Sequence, residues 1–215
     1  MATKGVFRVE CPNCGESFDA DFWTVVRGDR DHDVRELILS GEFDLLMCPK
    51  CSAMIQHEEP FIYLDPTKET LAFVMPESYQ DKKDEWIKRM EADVEPVRAS
   101  FAGGKGILGE PQYFFGLGQL SAMLQSDQDR EEETEVMEFM AREEGFHLLP
   151  VKPAAARELD ITFSIPMPAG LSGRAAALQA AESLYAKNDA LGRLKKLIDV
   201  LKKDDCCDHI HFLKK

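Results

Sequence analysis

Four cysteines stand as two matching pairs, Cys11-Pro12-Asn13-Cys14 and Cys48-Pro49-Lys50-Cys51. Each Cys-Pro-X-Cys turn is short enough to aim both sulfurs at one ion. The segment between the pairs is long enough to bring the second back opposite the first. Four thiolates arranged in this way close a tetrahedral sphere around Zn²⁺, with metal–sulfur bonds of about 2.3 Å. Cys11, Cys14, Cys48 and Cys51 are therefore the candidate metal ligands, with Zn²⁺ as the expected cofactor. Four protein thiolates leave no open position for a reacting water or substrate, so the expected role of the metal is structural. The other reading of the same residues is a dithiol redox pair, because a Cys-X-X-Cys turn can lower a thiol pKa. Two pairs in a strand-rich setting favour the metal.

A second concentration of metal-capable side chains lies in the tail, at Cys206, Cys207, His209 and His211. The histidines share one side of an extended segment, but adjacent cysteines point apart. A polar tail with one cysteine packed as a small apolar residue is the alternative. His32, His57 and His147 have no partner spacing that marks catalysis, and His57-Glu58-Glu59 reads as a solvated strand edge. Gly103-Gly104-Lys105-Gly106 lacks the phosphate-loop pattern and reads as linker. No nucleophile elbow, Ser/His/Asp set or dinucleotide fingerprint is present. The catalytic set expected from sequence is therefore empty.

The elements that must position the cysteines follow from the apolar pattern. Val6-Phe7-Arg8-Val9 alternates like a half-buried strand and feeds the first pair. Ser17–Val26 is β-prone, with Phe18, Ala20 and Phe22 on one face. Val34, Leu37 and Ile38 predict a short helix with Asp33 at its N-cap and Gly41 at its stop. Asp44–Met47 enters the second pair and Ala53–His57 leaves it. Phe61–Leu64 and Leu71–Met75 read as a hairpin around Asp65-Pro66-Thr67-Lys68. The sum is a zinc-ribbon-like antiparallel β unit with one inserted helix, closing near Pro76.

Beyond it the pattern is mostly helical. Gln80–Val94 is a charged helix. Tyr113–Leu124 reads as an amphipathic helix weakened by two glycines. Glu131–Glu144 places Val136, Phe139 and Met140 at helical spacing, with Glu131, Glu132 and Glu133 as a solvated first turn. Leu159–Ile165 alternates as a strand. Gly173–Lys203 predicts two helices broken at Asn188-Asp189; a single tetratricopeptide-like pair is a weaker reading, because such repeats need neighbours. The expected class is α+β, divided as 1–78 (ribbon), 79–109 (charged helix and linker) and 110–215 (α+β region ending in a helical pair).

The paired motifs, Cys11-Pro12-Asn13-Cys14-Gly15 and Cys48-Pro49-Lys50-Cys51, resemble the CpXC family, a bacterial and archaeal domain named for them. Glu59-Pro60-Phe61-Ile62-Tyr63-Leu64 and Val74-Met75-Pro76 are similar to that family as well. The specific resemblance covers about residues 6–78, with a looser likeness reaching Glu144. It implies a zinc-ribbon fold and supplies no reaction. One position departs from the ideal knuckle. A glycine often follows the second cysteine because it accepts positive φ; Gly15 fits, whereas Ser52 must adopt that conformation at a cost.

Charge narrows the partners. The chain of 215 residues carries a net charge of −13 and a pI near 4.9. An acidic protein gains nothing from the counterion release that drives non-specific nucleic-acid binding, so a nucleic-acid partner is disfavoured. That reading needs a basic cluster such as Arg8, Arg27, Lys50 and Lys68. The nine acidic and two basic residues of Asp127–Glu144 contrast with the seven basic and three acidic of Arg174–Lys203. These two segments either attract each other or face a partner. No apolar run reaches the roughly 18 residues of a membrane span. The N-terminus lacks a signal-peptide core, which predicts a cytoplasmic protein with reduced thiols. The expected function is a non-catalytic zinc protein that binds a protein partner. The alternatives are an enzyme whose site lies in the C-terminal region, and a nucleic-acid-binding ribbon.

Overall fold

The computed structural model describes residues 3–101 and 109–203. The expected tail site at Cys206, Cys207, His209 and His211, and the linker glycines, lie outside the described residues. The chain forms two compact units, Met1–Leu124 and Gln125–Lys215.

The first unit is built on a five-stranded sheet. β1 (Thr3–Glu10) pairs antiparallel with β2 (Ser17–Arg27), and the first Cys-Pro-X-Cys pair forms the turn between them. After α1 (His32–Ser40), the short strands β3 (Leu45–Met47) and β4 (Met54–Gln56) flank the second pair as a separate two-stranded ribbon. β5 (Phe61–Asp65) and β6 (Thr70–Met75) form the expected hairpin. Its turn is fixed by Asp65, whose carboxylate accepts from the backbone N–H groups of Thr67 and Lys68. α2 (Lys83–Phe101) leads toward β7 (Pro111–Phe115), the fifth strand. The sheet order is β1-β2-β5-β6-β7.

The α+β class is as expected, and the sheet adds two parallel pairings to the antiparallel ones. β5 runs parallel to β2, and β7 parallel to β6. The reason is connectivity: a parallel neighbour requires a long crossover, supplied once by α1 with the ribbon and once by α2. β5 and β6 are central and covered on both faces, which explains their near-continuous apolar sequences. Phe61, Tyr63, Ala72 and Val74 pack with Val34, Ile38, Leu120 and Leu124 on one face. Leu64, Leu71 and Phe73 pack with Met90 and Val94 of α2 on the other.

Several expectations shift. Tyr113–Phe115 is strand, and the helix begins only at Leu117, as α3 (Leu117–Glu144). Gly116, at φ +91°, makes the corner between them. The first compact unit therefore extends past residue 78, because β7 completes its sheet and Leu120 and Leu124 enter its core. The N-cap of α1 is Asp31 rather than Asp33, while Gly41 ends the helix in the left-handed conformation as expected.

The second unit comprises the continuation of α3, the antiparallel pair β8 (Phe146–Pro150) and β9 (Ser164–Pro168), α4 (Pro153–Leu159), α5 (Arg174–Lys187) and α6 (Gly192–Lys202). The helical pair breaks at Asn188 as expected. The strand expected over Leu159–Ile165 lies further on. Leu159 ends α4, Asp160 turns the chain at φ +49°, and pairing starts at Ser164. Pro166 and Pro168 are tolerated inside β9 because its sheet has only two strands, so one edge needs no donors. Glu131–Glu133 lie in the interior of α3, not in its first turn. The inward side of α3 here is Met137 and Ala141; Val136 and Phe139 face out.

The opposite charges of the two C-terminal segments meet within this unit. Glu133 accepts from the backbone N–H and guanidinium of Arg193 at the start of α6, at 2.8 and 3.2 Å. It acts there as an N-cap supplied by another helix. Lys187 pairs with Glu144, and buried Asp127 holds Arg130 and Arg157.

Candidate metal centre

The two cysteine turns are the same local structure built twice. In the first, Cys11 N–H donates to the Glu16 carbonyl at 2.8 Å and Gly15 N–H to the Cys11 carbonyl at 2.8 Å. In the second, Cys48 N–H donates to the Ala53 carbonyl at 2.9 Å and Ser52 N–H to the Cys48 carbonyl at 2.9 Å. Gly15 has φ +69° and Ser52 φ +56°, so serine adopts the left-handed conformation foreseen for it. The sulfur of the second cysteine in each turn accepts from a backbone N–H two residues on, Glu16 to Cys14 and Ala53 to Cys51.

These turns bring Cys11, Cys14, Cys48 and Cys51 together. All four sulfurs lie within 4.8 Å of one another. Cys11 Sγ is 3.7 Å from Cys51 Sγ, and Cys14 Sγ is 3.7 Å from Cys48 Sγ. A tetrahedron with 2.3 Å metal–sulfur bonds has edges of about 3.8 Å. None of the four is in a disulfide. The cluster can hold a metal ion.

Its seat is asymmetric in depth. Cys11 and Cys48 are 1% and 0% exposed and pack with Ile55, Leu46 and Phe18; Cys14 and Cys51 lie nearer solvent. The variable residue of each motif reaches across to the other turn. Asn13 Nδ2 donates to Cys51 Sγ at 3.4 Å, and Lys50 Nζ pairs with Glu16 Oε2 at 2.9 Å. The spacing of the cysteines gives no sign of these two contacts, which appear only once the turns face each other.

The electrostatics of the sulfurs favour a cation. The Asn13 amide and the Ala53 N–H hold the Cys51 thiol down to about 6. At Cys14 the Glu16 N–H favours the thiolate, but burial and the three neighbouring sulfurs outweigh it and push the thiol up to about 12. Protein groups alone thus support one thiolate well and oppose another. A cation held among the four sulfurs would supply the missing charge, and its binding would release protons.

The ribbon that carries the second turn is anchored at its base. His57 Nε2 lies 2.9 Å from Glu59 Oε1, and its ring packs against Phe22 at 5.0 Å. His57 is therefore a packed residue and not the solvated edge expected. Asp44, entering β3, is pushed up to about 7 by burial, against an opposing hydrogen bond from the Trp23 N–H. On its outer face the ribbon is apolar and open: Leu45, Met47 and Met54 are exposed, Met47 by 63% and Met54 by 60%.

Three of the four basic residues named for a nucleic-acid surface are in ion pairs. Arg8 pairs with Asp19, Arg27 with Asp29 and Lys50 with Glu16. Among the described residues no helix is long and apolar enough to cross a membrane.

No curated protein and no solved structure matches this chain. The family model described as CpXC protein matches residues 9–113, a span holding both cysteine motifs and reaching β7. Over that span, a little under half of its length, the chain is similar to the CpXC family.

Proposed function

We propose that this protein is a non-catalytic, zinc-braced interaction module that works in the cytoplasm. Zinc is the metal best matched to the site, because four thiolates at a tetrahedral spacing suit a soft-tolerant d¹⁰ ion without redox demands. The closed set of four sulfurs leaves the ion no position for substrate. A reducing compartment keeps the thiols available.

One observation carries the interaction role. Of the seven large apolar side chains exposed among the described residues, three (Leu45, Met47 and Met54) sit on one face of the ribbon that bears the second cysteine turn. Met47 pairs directly with Met54 across the strands, while Leu46 and Ile55 on the opposite face cover the sulfurs. Exposed, adaptable methionines adjacent on one face support the reading of that face as a protein-binding surface. The metal's part is to hold that face in shape.

The test is affinity copurification with tagged wild type, the Met47→Gln/Met54→Gln double variant and Cys48→Ser in parallel. The double variant should keep its metal and lose the same partner that Cys48→Ser loses. A partner retained by both variants would place binding elsewhere and overturn the assignment.

A further inference from the structure

The second unit exposes its own apolar pair. Val136 and Phe139 of α3 are 41% and 65% exposed, although Met137 and Ala141 on the same helix are buried. Residues three apart share a helix face, so the two side chains form one patch. A phenylalanine this exposed needs a reason, because large apolar side chains normally enter a core.

The carboxylates of α3 divide in the same way. Asp127, Asp129, Glu133 and Glu144 turn toward Arg130, Arg157, Arg193 and Lys187 and pair with them. Glu132, Glu135 and Glu143 are exposed and have no ion-pair partner among the described residues. Glu132 receives only an amide hydrogen bond, from Gln128 at 3.2 Å. These three stand four residues before Val136, four before Phe139 and four after Phe139, so they bracket the patch. Arg142, close by, is taken by Glu138.

This charge pattern selects the occupant. A second copy of α3 laid on the patch would oppose carboxylates with carboxylates, and like charges facing each other in a close interface repel. An anionic lipid surface is repelled for the same reason. A helix with an apolar stripe and flanking lysines or arginines matches both features. Helix-on-face recognition reads apolar anchors at i, i+3 or i+4 spacing, and the surrounding charge sets orientation and association rate.

We propose that the Val136–Phe139 face of α3 is the docking site for a basic amphipathic helix of a protein partner. Apolar residues of that helix cover Phe139 and Val136, and its cations meet Glu132, Glu135 and Glu143. The site lies wholly in the second unit, so it stands or falls separately from the zinc ribbon.

The probe is a labelled amphipathic peptide of about four helical turns, with leucine at core positions and lysine elsewhere. It is titrated into the full chain by fluorescence anisotropy at several salt concentrations, and a leucine/glutamate peptide serves as the opposite-charge comparison. Binding of the lysine peptide should weaken about tenfold in Phe139→Ala, as for a central apolar anchor. Glu135→Lys/Glu143→Lys should weaken it at least as much and flatten its salt dependence. Glu36→Lys/Glu91→Lys makes the same change in net charge in the first unit, and should alter affinity by less than about twofold. Circular dichroism and thermal melts confirm that each variant is folded. Equal weakening by the Glu36/Glu91 reversal would show general charge attraction only and overturn the site. So would wild-type affinity in Phe139→Ala, binding of the glutamate peptide, or no binding of the lysine peptide. A wild-type dimer that dissociates in Phe139→Ala would replace the basic helix with a second copy.

Discussion

The two cysteine turns have the same hydrogen-bond pattern and very different foundations. The first closes β1 and β2, strands of eight and eleven residues, and β2 is paired onward into the central sheet. The second closes β3 and β4, which have three residues each and pair only with one another. An isolated two-stranded hairpin is at best marginally stable in water. The first turn is thus held by the fold, whereas the second is held by its sulfurs and by the anchors at its base. Identical local geometry does not mean equal local stability. On the reading proposed above, a metal held by the four cysteines would have a specific role, which is to fix the weak ribbon to the strong one.

Removing the metal should break the comparison most severely. Binding to four thiolates is worth on the order of 10 kcal/mol, far beyond what two three-residue strands retain alone. With a chelator present, backbone amides of β3 and β4 should exchange at nearly unprotected rates. Those of β1 and β2 should change by less than about tenfold. Hydrogen-exchange mass spectrometry reads both in one sample. Equal loss in both hairpins would mean that the metal organises the whole unit.

The cross-reaching residues give a smaller effect of unequal size. Asn13 touches a sulfur, so Asn13→Ala should lower metal affinity roughly tenfold, as for other groups that support a ligand. Lys50 touches only an exposed carboxylate, and Lys50→Ala should cost less than about 1 kcal/mol of stability. Chelator-competition titrations and thermal melts separate the two.

The residue after each turn sharpens the contrast further. Gly15→Ala forces a side chain into the left-handed conformation at a cost of about 1 kcal/mol. Ser52→Gly removes that cost but adds freedom to the unfolded chain, so its gain should be no more than about 0.5 kcal/mol. Thermal melts of the metal-loaded variants check the opposite signs.

The centre was legible in sequence because its geometry is local. Two Cys-Pro-X-Cys turns fix where each sulfur pair points, and Gly15 announces the conformation that Ser52 repeats. The hairpin at Asp65 and the helix break at Asn188 were legible for the same reason. What could not be read was set by distant pairing. Pro111–Phe115 merges with the helical pattern after it, and only its parallel register with Leu71–Met75 makes it a strand. On α3, Val136 and Phe139 look as able to face a core as Met137 and Ala141 do. The choice between them rests on α5 and α6, which no local signal on α3 encodes. Likewise, Leu159–Ile165 alternates correctly for a strand, but Pro153 and the alanines before it draw Leu159 into α4.

The most direct test of the central claim is the metal content of natively purified protein, measured by elemental analysis against chain concentration. A structural site of four cysteines predicts about one zinc ion per chain in wild type and a clear loss of it in Cys48→Ser. Wild-type protein that carries no metal, or a Cys48→Ser variant that keeps a full complement, would contradict it.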